Sequence, residues 1–183
     1  MGIETDLLHA LNNSFAIKEQ QALRVISDSA AIVAYGSSAM LLLIGFWKKR
    51  PRLRRMAIVV LAATLGTALI VNVLKHTIDR ERPFETLDAV TKLDVGGGGS
   101  FPSGHTGDAF AAAMIFSLLV RRWWVATPLF IWACAVGWTR MALGVHYPSD
   151  VLAGAFIGVS FALLTHWLSW VRRRNIQITD ITS

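Results

Sequence analysis

The sequence predicts an all-α fold, a polytopic membrane helix bundle with five transmembrane helices and a short N-terminal amphipathic interfacial helix. Three observations carry that prediction. Of 183 residues, 54% are hydrophobic and only 16% charged, too apolar a balance for an ordinary water-soluble domain. The apolar residues gather in five runs near the length that a bilayer core requires. The basic residues behind the formal net charge of +6 stand at the ends of those runs, where a membrane protein keeps them. That placement argues against nucleic acid as a partner. One domain, residues 1–183, is expected, with its core at 56–171 and outer loops at 78–102 and 144–149.

At the start, Ile3, Leu7, Leu8, Leu11 and Phe15 recur at helical spacing among polar residues, the pattern of a helix lying in the membrane interface and too short to span. The acidic stretch Met1 to Asp6 is not followed directly by a long apolar core, which argues against a cleaved signal peptide. Residues 22–47 form the first span, with Arg24 and Asp28 at its interfacial end. Six positive charges follow between Lys48 and Arg55, a short turn before the second span at 56–77. The chain then leaves the membrane over residues 78–101, which hold Asp79, Glu81, Glu85, Asp88, Asp94 and the glycine run Gly96 to Gly99. Residues 103–120, 123–143 and 150–171 make spans three, four and five. Cys134, the only cysteine, lies inside span four, where it is expected as a small buried hydrophobe; it excludes an intramolecular disulfide and a cysteine metal cluster.

Orientation follows from charge. Lys48 to Arg55, Arg121-Arg122 and Arg172 to Arg174 fall on one side of a five-span path and collect eleven of the eighteen Lys and Arg residues, which marks that side, and the C-terminus, as cytoplasmic. The 78–102 and 144–149 loops then share the outer face. Trp47, Trp123, Trp124, Trp167 and Trp170 stand near the inner ends of spans, as interfacial anchors do.

Three polar clusters reach that outer face. Lys75 sits near the end of span two, seven residues before Arg82 and about two turns away if the helix persists; it is either a functional intramembrane cation or one that snorkels to the interface. Phe101 to Asp108 puts Ser103, Gly104 and His105 at a helix start, where free N–H groups and the dipole form a ready anion seat. Asp108 either modulates His105 from the same face or simply complements the dipole. In the stretch from Thr139 to Asp150, Arg140 ends span four, Gly144 reverses the chain and Pro148 opens the next helix. Asp150, four residues after His146, can hold one ring nitrogen and leave the other as a nucleophile. Three fixed cations match a phosphoryl group, and two histidines can supply the nucleophile and the proton donor of in-line transfer. No His or carboxylate cluster suggests a metal, so no cofactor is expected.

Lys75 to Arg82-Pro83, then Pro102-Ser103-Gly104-His105, then Arg140 to His146 to Asp150 resemble, in order, the three motifs of the type 2 phosphatidic acid phosphatase superfamily. Thr139 stands where that family usually has Ser. The resemblance implies a metal-independent phosphatase working through a phosphohistidine, with His146 as nucleophile, Asp150 orienting it, and His105 protonating the leaving group and then activating water. Lys75, Arg82, Ser103, Gly104 and Arg140 would bind the phosphoryl group of a membrane lipid. The short form is similar to bacterial undecaprenyl diphosphate phosphatases, which implies the bacterial inner membrane with the site facing outward. Phosphatidylglycerophosphate, phosphatidic acid and lipid A 1-phosphate are the alternative substrates; a lipid phosphotransferase and a non-catalytic lipid-binding protein are the alternative activities. The glycine run either moves as headgroups enter or is a plain linker.

Overall fold

A computed structural model describes residues 3–13, 17–94 and 97–182; Phe15 and Gly96 lie outside them. Among the described residues the chain is helix and loop without strands. Helix α1 is Ile3–Asn12; α2, Ile17–Ala31, runs through a π-helical turn, Ile32–Gly36, into α3, Ser37–Trp47. Then come α4 (Pro51–Ile78), the single turn α5 (Pro83–Thr86), α6 (Gly104–Val120), α7 (Trp123–Ala142) and α8 (Pro148–Thr182). Three helical stretches are long and apolar enough to cross a membrane: Glu19–Trp47, Pro51–Thr86 and Pro148–Arg172. Helix α6 is apolar but has 17 residues, about 25 Å at 1.5 Å per residue.

Packing centres on α6, which touches α2, α4, α7 and α8. Its faces are built of small residues, with Ala109, Ala111, Ala112 and Ala113 buried, so neighbours approach closely. The α8 contact is the tightest: a Cβ added at Gly154 would fall 2.3 Å from the Ser103 carbonyl oxygen, and one at Gly158 would fall 2.3 Å from that of Gly107. This is a small-xxx-small seam, the usual way for membrane helices to pack without a hydrophobic drive between them. Around the bundle, Ile32, Leu43, Ile58, Leu69, Ile131, Leu152 and Phe156 are exposed, an apolar girdle that fits lipid and not water.

The apolar part of α8 ends at Arg172, one residue past the end expected for span five, and the helix itself continues to Thr182. Three sequence expectations are corrected. The helix does not persist from Lys75 to Arg82: α4 stops at Ile78, capped by Asp79 in the left-handed region (φ 43°). Cys134 is exposed on α7 instead of buried, because α7 lies at the edge of the bundle and offers only one face to α6. Asp108 is not a first-turn carboxylate, because α6 starts at Gly104 and has no acidic residue in its first turn; its Oδ1 lies 3.5 Å from the Tyr35 hydroxyl on the π-helical turn. Trp47, Trp123, Trp124, Trp167 and Trp170 are all exposed, as anchors must be.

Loops gather at one end. Asn12, buried at the end of α1, donates to the carbonyls of Thr91 and Ala142 and accepts from the Thr91 N–H. Gly144 turns the chain with φ +73°, and an added Cβ there would sit 2.7 Å from the Thr91 carbonyl oxygen. Helix α1, the loop after α5 and the α7–α8 turn are thereby tied together above the ends of α4 and α6.

Candidate active site

The α7–α8 turn holds the centre of the site. Tyr147 directly precedes α8 and Asp150 lies in its first turn; the fully buried Asp150 carboxylate takes hydrogen bonds from the Tyr147 N–H (2.8 Å), the Ser100 hydroxyl (2.5 Å) and Arg80 Nη1 (2.7 Å). Its Oδ2 faces His146 Nδ1 at 3.5 Å, longer than a formed hydrogen bond. The i, i+4 spacing of His146 and Asp150 brings this about because Pro148 begins the helix directly between them.

His146 is 2% exposed. Burial, with Arg140, Arg82 and Lys75 adding to it against the opposing pull of Asp150, holds its imidazole well below the usual histidine value, at about 3. The ring is therefore neutral at physiological pH and keeps a lone pair available on Nε2 when Nδ1 carries the proton toward Asp150.

Arg82 is buried and its guanidinium donates to four backbone carbonyls: Nε to Gly98 (3.0 Å), Nη1 to Val145 (2.9 Å), and Nη2 to Gly97 (3.1 Å) and Gly99 (3.4 Å). Lys75 Nζ donates to the same Gly99 carbonyl at 2.7 Å. The glycine loop thus folds back over the end of α4, and Gly99 is close enough that a Cβ would lie 2.8 Å from the Lys75 carbonyl oxygen. Arg140, at the end of α7, is 2% exposed and donates through Nη1 to Asp94 Oδ2 (2.5 Å) and the Ser27 hydroxyl (2.6 Å). Its Nε is buried without a hydrogen-bond partner.

Ser103 and Gly104 begin α6. The Ser103 N–H donates to the Asp150 carbonyl at 3.0 Å, which locks the second motif onto the third. The Ser103 hydroxyl pairs with that of Thr106 (2.8 Å) and does not cap the helix. The first-turn amides are thus left without a side-chain cap, as an anion seat requires. At Gly104 an added Cβ would meet nothing nearer than Val71 Cγ1 at 3.6 Å. His105 stands at the mouth, 39% exposed, with Nε2 3.9 Å from Asp28 Oδ1, and Arg140 and Lys75 act on it electrostatically.

Every residue that the motifs singled out therefore converges on one end of the bundle. The sequence reading missed a supporting set. Arg80 bonds Ser149 and Asp150, stacks 3.9 Å over the Tyr147 ring and pairs with Glu4 at 3.7 Å. Glu4 also accepts from the Ser149 N–H, so α1 braces the turn. Ser100, Ser27 and Asp94 are the other additions. An arginine two residues before Arg82-Pro83 was a visible signal; the serines and Asp94 gave none.

The arrangement can hold a tetrahedral dianion among three cations and helix amides, with a neutral imidazole on one side and a second imidazole at the mouth.

A sequence profile of the PAP2 superfamily matches residues 55–174. The lipid A 1-phosphatase of Rhizobium johnstonii is 42% identical over 106 residues, 54% of this chain and 42% of that protein. The chain spans less than half the length of the lipid A phosphatases it matches. The undecaprenyl-diphosphatase BcrC of Bacillus subtilis is 28% identical over 158 residues, 86% of this chain and 78% of that protein. Among solved structures, Aquifex aeolicus LpxE superposes with a TM-score of 0.73 at 25% identity, over 90% of this chain and 95% of the other.

Proposed function

Because the chain belongs to the PAP2 superfamily, we propose that it is a membrane lipid phosphatase that removes a terminal phosphoryl group, without a metal, through a phosphohistidine. The observation that carries this reading is the convergence of the His146–Asp150 pair with Lys75, Arg82 and Arg140 at one end of the bundle. His146 Nε2 attacks phosphorus while the bond to the leaving oxygen breaks and His105 delivers a proton to that oxygen. Water then attacks the phosphohistidine, His105 takes the water proton, and the P–N bond breaks to release phosphate. Asp150 stabilises the charge that builds on the His146 ring. Lys75, Arg82 and Arg140 bind the phosphoryl oxygens by exchanging the Gly97 to Gly99 carbonyls and Asp94 for a ligand of higher charge. Ser103 and the Gly104 amide complete the seat.

The same reading places five spans in the bacterial inner membrane, adding α6 and α7 to the three long stretches. Helix α1 lies in the outer interface, the site faces outward and the C-terminus is cytoplasmic. The proposed substrate is undecaprenyl diphosphate, yielding undecaprenyl phosphate; the similarity to an undecaprenyl-diphosphatase over 86% of the chain favours it. Lipid A 1-phosphate is a second reading, favoured by the 42% identity to a lipid A 1-phosphatase in the matched segment. Phosphatidylglycerophosphate and phosphatidic acid complete the panel. Phosphate release from each lipid, by detergent-purified protein in excess chelator, tests the proposal. Undecaprenyl diphosphate is expected to turn over fastest; a faster rate on lipid A 1-phosphate would replace the substrate, and release from none would refute the activity. A candidate acceptor lipid in the same assay separates hydrolysis from phosphotransfer.

A further inference from the structure

At the end of the bundle opposite His146, α3, α4 and α8 enclose a cavity of about 680 Å³. Its walls are apolar, with Phe46, Ile58 and Leu168 still 64%, 60% and 50% exposed, so no protein segment among the described residues covers them. Three arginines, Arg54, Arg55 and Arg172, line the same space. Arg54 is seated: an added Cβ at Gly45 would fall 2.8 Å from its Cγ, and its guanidinium lies 5.0 Å from the Phe46 ring centroid. Helices α3 and α4 contain no Asp or Glu, and α8 has none between Asp150 and Asp180, so the arginines face no carboxylate from the elements that form the cavity.

A cavity with uncompensated guanidinium groups at one end and open apolar walls along the rest matches a ligand with a phosphate and acyl chains. We propose that it binds one anionic phospholipid of the leaflet opposite the catalytic site, with the headgroup phosphate on Arg54, Arg55 and Arg172 and the chains along Phe46, Ile58 and Leu168. Arg54 and Lys75 are 21 residues apart on α4, about 30 Å along the helix, so this lipid is not the substrate. The proposal rests on the membrane reading but not on the chemistry of His146.

Native mass spectrometry of detergent-purified protein, titrated with phosphatidylglycerol or with phosphatidylethanolamine of matched chains, tests it. A single phosphatidylglycerol is expected to bind about tenfold or more tightly than phosphatidylethanolamine. Arg54→Gln with Arg172→Gln is expected to abolish that preference, while the charge-matched pair Lys48→Gln and Arg122→Gln, outside the cavity, keeps it. Lipid-free melting temperature and phosphate release from a short-chain substrate monitor folding; if the pair misfolds, Arg172→Gln alone carries the comparison. Equal binding of the two lipids, equal loss in the control pair, or displacement by millimolar inorganic phosphate would each overturn the proposal.

Discussion

Asp150 shows how the site sustains a buried carboxylate in a low-dielectric surrounding. It accepts from three donors, with His146 Nδ1 facing it at 3.5 Å, and Arg80 supplies the positive charge at 2.7 Å. Removing that cation leaves the carboxylate buried and uncompensated. Arg80→Ala is expected to lower stability by about 2 kcal/mol, allowing for the one-third exposure of Arg80, and to lower kcat more than KM; unchanged melting and kinetics would show that Arg80 does not support Asp150. His146 yields a prediction about pH. Its folded value, about 3, lies below its unfolded value near 6.5, so below that pH the unfolded chain binds a proton that the folded chain refuses. Stability is therefore expected to fall as pH drops from about 6.5 toward 3, and NMR of labelled His146 should show no titration between pH 5 and 8. A midpoint near 6.5 would contradict the burial argument. At this scale the motif residues were legible because their spacing is set along short stretches of chain. Ser100, Ser27 and Asp94 were not, because their partners are 113 to 46 positions away and are brought together only by folded loops.

Among the elements, the α6–α8 seam governs the geometry of the second and third motifs at once, since Gly154 lies against the backbone of Ser103. Gly158→Val is expected to destabilise the protein by about 1–3 kcal/mol through overpacking, read as a lower melting temperature in detergent. Gly97→Ala, where an added Cβ meets nothing within 4 Å, should leave melting unchanged. Equal effects would mean that the seam is not tightly packed. Apolar runs between basic blocks made the long helices readable in order. The seam itself was not read, because Gly154 and Gly158 give no periodic signal until their partner helix is known. Nor was the stop of α4 at Ile78: Asp79, Arg80 and Glu81 do not forbid a helix, and the return of Arg82 to the glycine carbonyls is a tertiary contact.

For the whole molecule, the proposed topology separates the two ends by charge. In a Cys134→Ser background, Gly97→Cys is expected to react with an impermeant thiol reagent on intact cells, and Arg52→Cys only after permeabilisation. The reverse pattern would invert the protein in the membrane. The basic blocks made this expectation available from sequence, whereas the bracing of the catalytic turn by α1 through Glu4 and Asn12 was hidden, because two polar residues on a short helix look like ordinary surface. The central claim is that His146 carries the phosphoryl group, and trapping it tests that claim most directly. Rapid base quench during turnover, followed by peptide mapping by mass spectrometry, should find a base-stable, acid-labile phosphate on His146, absent in His146→Ala, whose phosphate release should fall by about 10³-fold or more. Substantial turnover by His146→Ala, or a phosphoryl group trapped on His105 instead, would contradict it.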